Sequence, residues 1–193
     1  MNRRARIQWT VALGSLLVIA CVGVWILHWR AEEYAVYNAA IREAFSGDGV
    51  SYSVILDRTE PEGHFGISTF HSKKLGLPLT MRADYAAKNL FRFHIAPRFD
   101  LPNPFKMVRQ DELENVFGPD KANSPNSNEL KALLRNSWGV ITLSRVGFDL
   151  GRKHAIVYAQ LTYCGLCGEG TYLYLAKEGG VWHVVGRAGT WIS

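Results

Sequence analysis

Cys164-Gly165-Leu166-Cys167 is the stretch of this 193-residue chain whose residue types and spacing carry a chemistry of their own. Three chemistries use such a pair. Thiol–disulfide exchange needs the first cysteine at a helix N-terminus, where the dipole lowers the thiol pKa. Here Tyr172-Leu-Tyr-Leu175 follows, which is a strand pattern. A structural zinc needs four ligands. No second CxxC exists, so His154 and His183 would have to be brought in by the fold. A small disulfide needs only the two thiols and permissive backbone beside them, which Gly165 and Gly168 supply. The expected state is a disulfide, Cys164 to Cys167, stapling a turn between two strands; a reduced pair is the remaining alternative.

The other reactive side chains form no recognisable set. His28, His64, His71, His94, His154 and His183 show no HExxH or H-x-H spacing, so each reads as a surface or half-buried histidine and no metal ligand is assigned. Ser144 lies inside a strand pattern without a G-x-S-x-G elbow to expose its hydroxyl. Glu60 with Glu62, and Asp111 with Glu112, read as solubility and helix-dipole charges. Gly63-x-x-Gly66 is too short a pattern for a phosphate loop. No catalytic or cofactor-binding residue follows from any of these. Tyr158, Tyr163, Tyr172, Tyr174, Trp182 and Trp191 crowd the last third of the chain. Core packing accounts for them; an aromatic-lined site for a small apolar ligand is the competing reading, and needs a cavity of roughly 300 Å³ or more.

The compartment in which those cysteines sit follows from the N-terminus. Trp9 to Trp29 is a 21-residue apolar run behind Met1-Asn-Arg-Arg-Ala-Arg6. At ~1.5 Å per residue it spans roughly 31 Å, close to the hydrocarbon thickness of a bilayer. Trp9 at one end and Trp25 and Trp29 at the other suit an interfacial aromatic belt. Arg3, Arg4 and Arg6 precede the run, whereas Glu32 and Glu33 follow it. The positive-inside bias then holds the N-terminus in the cytoplasm and exports residues 31–193. The chain reads as a membrane signal anchor, residues 1–30, followed by one periplasmic domain, residues 31–193, at a bacterial inner membrane. A cleaved signal lacks its A-x-A site. A lipoprotein signal has one argument in its favour: Val18-Ile19-Ala20-Cys21 resembles a lipobox, which makes Cys21 the candidate lipidation site.

The same segment explains the charge. The chain carries 22 basic and 17 acidic residues, net +5. Four arginines and no acid fall in residues 1–30, which leaves 18 basic against 17 acidic residues in the exported part. Nucleic-acid binding, which needs a basic footprint, is not expected. An oxidising compartment allows Cys164 and Cys167 to pair.

The exported part reads as α+β. Helices are expected over 31–45, 84–90, 111–117 and 129–135, the last opened by an Asn126/Glu129 capping box. Strands are expected over 50–57, 105–109, 140–148, 155–163, 171–177 and 181–187. Residues 60–80 and 96–105 read as irregular, the latter because of Pro97, Pro102 and Pro104. Glu178-Gly-Gly180 is a tight hairpin signal. Sequential strands with short links favour an antiparallel four-strand meander with helices on one face of the curved sheet.

Ile141-Thr-Leu-Ser-Arg-Val-Gly-Phe148, Cys164-Gly-Leu-Cys-Gly-Glu-Gly-Thr-Tyr172, Gly180-Val-Trp-His-Val-Val185 and Thr190-Trp-Ile-Ser193 resemble a group of bacterial exported proteins of unknown function. Tyr34-x-x-Tyr37 and Phe105 to Leu113 resemble it more loosely. The resemblance implies an envelope location and a cysteine-bearing turn, and it transfers no activity. The helix-then-curved-sheet order, ending on a Trp-bearing strand, is also similar to nuclear-transport-factor-like cone folds. A non-enzymatic binding or interaction module is the expected function. A thiol–disulfide or hydrolytic enzyme of the envelope and an apolar-ligand carrier are the alternatives.

Overall fold

The structure, a computed structural model, describes residues 30–45, 52–60, 67–117, 132, 134–135, 137–163 and 167–193. The apolar run Trp9–Trp29, Cys21, Cys164 and the Asn126/Glu129 box therefore lie outside the described residues. Among the described residues, no helix is long and apolar enough to cross a membrane. The chain divides between Tyr34 and Ala35, and Ala35–Ser193 holds all of the sheet.

The architecture is α+β around a mixed sheet of seven strands. The elements run α1 (residues 30–44), β1 (Ser53–Leu56), α2 (Thr69–Lys74), α3 (Leu79–Lys88), β2 (Phe105–Val108) and α4 (Gln110–Phe117). They continue with β3 (Val140–Leu143), β4 (Gly147–Phe148), β5 (His154–Thr162), β6 (Gly168–Glu178) and β7 (Val181–Ile192). The sheet order is β2-β1-β3-β5-β6-β7, with β4 also on β5. The meander of the last third forms as expected: β3, β5, β6 and β7 pair antiparallel in chain order. Gly179 and Gly180 have φ of 56° and 88° between the paired Glu178 and Val181. A two-residue loop with φ positive at both positions matches the right-handed twist of its strands.

The expected all-antiparallel sheet is corrected by β1, which lies parallel to both β2 and β3. The connection from β1 to β2 carries α2 and α3, and parallel strands require such a crossover. Residues 67–80, the described part of the stretch expected to be irregular after Glu60, carry α2 and the start of α3. The Ser68 Oγ caps α2 by accepting the His71 N–H at 3.3 Å. Further on, α3 opens directly after Pro78, five residues ahead of the expected start.

The expected single strand over 140–148 is interrupted. Leu143 faces Ala159 and Gly147 faces Ile156, so Ser144, Arg145 and Val146 oppose only two residues of β5. This is a β-bulge. The Ser144 N–H donates to Tyr158 O at 2.9 Å, while the Tyr158 N–H donates to Ser144 Oγ, also at 2.9 Å. The serine hydroxyl thus replaces a ladder carbonyl, and the freed Ser144 carbonyl accepts from the Tyr37 hydroxyl.

Both faces of the sheet are covered, not one. Five consecutive residues of β5, 155–159, are buried, as in a strand packed on two sides. On one face Ile67, Leu77, Met81 and Tyr85 pack against Ile156, Tyr158, Tyr172 and Ala188. Val54, Leu56, Val108 and Val140 extend that face toward Leu113 and Leu134. The opposite face, with Ile55, Ile141, Leu143, Val157, Leu173 and Leu175, is equally buried. Residues 36–45 of α1 reach across from one side of the sheet to the other. Asn38 Oδ1 accepts the Asp100 N–H ahead of β2, and Glu43 accepts the Val184 N–H of β7.

Candidate functional site

The residues that converge lie beyond the carboxyl end of β1. Because β2 flanks β1 on one side and β3 on the other, the chain leaving β1 opens a crevice. Open α/β sheets bind ligands at that kind of position, and the analogy stops at position. Beyond Val108 the segment 93–95 replaces β2 as the neighbour of β1. The Ile95 N–H donates to Asp57 O at 2.7 Å and the Thr59 N–H to Phe93 O at 2.8 Å. The Phe93 N–H donates to the buried Thr59 Oγ1 at 2.9 Å. On the other side the Glu60 N–H donates to Leu143 O at 2.9 Å.

These bonds frame an open hollow of about 210 Å³ lined by Asp57, Arg58, Arg92, Phe93 and His94. Arg92 Nη2 lies 2.9 Å from Glu60 Oε2. Asp57 is largely buried, and its two oxygens lie 3.8 Å from Arg58 Nε and from His94 Nδ1 respectively. Both separations exceed hydrogen-bond length. The Arg145 guanidinium sits over the Phe93 ring, 4.3 Å from its centroid. Three guanidinium groups thus surround two carboxylates and a histidine, on an aromatic floor. None of the five lining residues carries a hydroxyl or thiol nucleophile.

Sequence reasoning missed this set. The sequence ends a strand at Asp57 and offers His94 as a surface or half-buried histidine, and it groups neither with Arg58, Arg92 or Phe93. The available signal was weak: Leu90-Phe-Arg-Phe-His94 places two aromatics and two basic groups in a run without an acid.

The other candidates separate. Cys167 follows the undescribed Cys164, at the turn from β5 into β6. That turn adjoins Thr162, which pairs with Val140 at the start of β3, whereas the hollow adjoins Leu143 at its end. No helix follows the cysteines, since β6 begins at Gly168. His154 Nδ1 bonds Asp149 Oδ2 at 2.9 Å and its ring stacks on Tyr174. His183 lies 3.4 Å from Glu43. His154 and His183 share a cross-strand row on either side of Ala176, two strand spacings apart, which is about 10 Å. Among the described residues, no three His, Cys, Asp or Glu side chains group as metal ligands. His71 packs on Tyr172, and His28, His64, Glu62, Gly63 and Gly66 lie outside the described residues. Ser144 is fully buried and spends its hydroxyl on the bulge. Glu112 accepts the Arg109 N–H at 2.8 Å and Asp111 holds the Arg109 guanidinium, both at the start of α4.

Tyr158 and Tyr172 are buried, with ring centroids 5.2 Å apart, and the Trp191 Nε1–H donates to the Tyr158 hydroxyl. Gly170 is packed flush against Tyr158, Trp191 and Thr190. The aromatic group packs there as core.

No protein-family model, no curated protein and no solved structure matches the chain.

Proposed function

We propose that residues 31–193 are a non-enzymatic binding module, tethered by the apolar run Trp9–Trp29 at the outer side of a bacterial inner membrane. Its contact site is the hollow beyond β1. The observation that carries this reading is the lining: the Arg58 and Arg92 guanidinium groups and the His94 ring stand around Asp57 on a Phe93 floor, framed by backbone bonds from three segments. Such a site suits an anionic group on a partner. The lining of the hollow carries no hydroxyl or thiol nucleophile, and a strand, β6, follows Cys167 where thiol exchange uses a helix. The hollow is smaller and more polar than a carrier of apolar ligands needs. The Cys164–Cys167 staple is part of this reading. It is supported by the Tyr163 N–H, which donates to Cys167 O at 3.1 Å across the turn and so holds the two ends of the loop together. The cone-fold likeness is kept as analogy, supported by the bulged meander and compatible with many functions.

The test uses the full chain in bacterial cells. Protease added to spheroplasts should digest residues 31–193 while the N-terminal segment stays with the membrane. A photoreactive residue replacing the exposed His94 should cross-link to a partner, and Arg58→Gln with Arg92→Gln should suppress the cross-link. A domain shielded from external protease overturns the placement. Cross-linking that ignores the two arginine substitutions overturns the hollow as the contact site.

A further inference from the structure

Leu90 and Phe91, next in sequence to Arg92 of the hollow, are 73% and 71% accessible, and Phe93 in its lining is 42% accessible. Apolar side chains normally escape water by folding back, and here the backbone prevents it. On one side, Asn89 closes α3 and bonds both Tyr85 O and Arg145 O through its side-chain amide. On the other, Phe93 and Ile95 are pinned to Thr59 and Asp57. Leu90 and Phe91 therefore stand out on a short tip held at both ends.

The charge around this tip has one sign in sequence and a net of that sign in space. Between Asp84 and Asp100 the chain carries Lys88, Arg92, His94 and Arg98 and no acid. At the hollow, Arg58, Arg92 and Arg145 outnumber Asp57 and Glu60. Exposed Leu and Phe beside guanidinium groups is the composition that lies at a lipid headgroup boundary, apolar groups in the acyl edge and cations on the phosphates.

We infer that Leu90–His94 is a bilayer-contact tip: Leu90 and Phe91 enter the acyl boundary of an anionic membrane, and Arg58, Arg92 and His94 seat a phospholipid phosphate in the hollow. The inference rests on the tether proposed above, which keeps residues 31–193 at a membrane surface. A protein partner would need complementary acids and is the competing occupant.

The test places the full chain in nanodiscs of phosphatidylcholine alone or of phosphatidylcholine with phosphatidylglycerol. Amide exchange is read over residues 88–95. Phosphatidylglycerol should slow exchange there on the order of tenfold. Leu90→Ser with Phe91→Ser, at sites exposed enough to leave the fold intact, should abolish the effect, and soluble glycerol phosphate should not reproduce it. Exchange equal in the two discs overturns the inference while the tether stands. Protection that survives the double serine substitution, or that glycerol phosphate alone produces, also overturns bilayer contact. A chain that fails to enter discs of either composition overturns the tether and the inference together.

Discussion

Asn89 and Arg145 exchange two hydrogen bonds: the Asn89 Nδ2–H donates to Arg145 O at 3.0 Å, and the Arg145 N–H donates to Asn89 Oδ1 at 2.8 Å. One side chain thereby bonds both backbone groups of a residue in the bulge. A second Nδ2 bond to Tyr85 O makes the same residue the C-cap of α3. Asn89→Ala should destabilise the domain by roughly 1–3 kcal/mol, because three side-chain bonds go; Arg145 O keeps the Ser144 hydroxyl and Tyr85 O keeps the backbone N–H of residue 89. Urea unfolding measures it. A loss under about 0.5 kcal/mol, the size of an ordinary surface substitution, would show that the clamp contributes nothing.

Gly147 lets α3 lie against the short strand beyond the bulge. A Cβ there would stand 2.5 Å from Tyr85 Cβ and 2.9 Å from Tyr85 Cα, and backbone cannot yield as a side-chain tip can. Gly147→Ala should cost about 1–3 kcal/mol, by overpacking. Gly179→Ala separates space from dihedral strain. Nothing lies within 4 Å of its Cβ, but its φ is 56°, so its cost should stay near 1 kcal/mol. Thermal unfolding of the two variants side by side checks the order. Equal losses would mean that the close packing at Gly147 is not a constraint.

The meander was legible because its signals are local. β-branched and aromatic runs alternate with glycine turns, and Gly179-Gly180 sets the last hairpin outright. The parallel pairing of β1 was not legible, since Leu56 and Val108 meet only after the α2–α3 crossover. Six residues are too few for α2 to show a helical apolar period; Ser68 was its only sequence mark. The bulge hides inside a continuous β-like run because Ser144 supplies a side-chain oxygen where the ladder expects a carbonyl. The hollow was illegible for a related reason. Asp57-Arg58 and Arg92-Phe-His94 join through backbone bonds and the Thr59 hydroxyl, and such pairing leaves no spacing in the sequence.

Asp149 accepts the Lys153 N–H at 2.8 Å, the His154 N–H at 3.2 Å and the His154 ring at 2.9 Å. Partial burial pushes its carboxyl up, but the His154 and Lys153 bonds together outweigh burial and hold it below the ordinary value of 3.8. A carboxyl depressed in the folded state adds stability that is complete above its unfolded pKa and disappears as the pH falls through the folded one. Wild type and Asp149→Asn should therefore differ most above about pH 5 and converge below about pH 3. At neutral pH the substitution should cost about 1–2 kcal/mol, the ionic part of the bonds being lost. Urea midpoints measured from pH 3 to pH 7 test it, and a gap that stays constant with pH would remove Asp149 as the titrating group.

The cysteine turn makes the sharpest separation between a staple and a reactive pair. Peptide mapping without reductant should recover Cys164 linked to Cys167, with Cys21 in neither peptide. Closing a four-residue loop restricts the unfolded chain modestly, by about 2 kcal/mol. For a domain of this size, Cys164→Ser with Cys167→Ser should lower the melting temperature by roughly 4–8 °C. The fold should survive, because the β5–β6 ladder and the Tyr163–Cys167 backbone bond hold the hairpin without sulfur. Two free thiols in the exported protein would rule out the staple. A double serine variant with an unchanged melting temperature and a lost reductase activity would instead make the pair reactive, and the binding-module reading would give way to an enzyme.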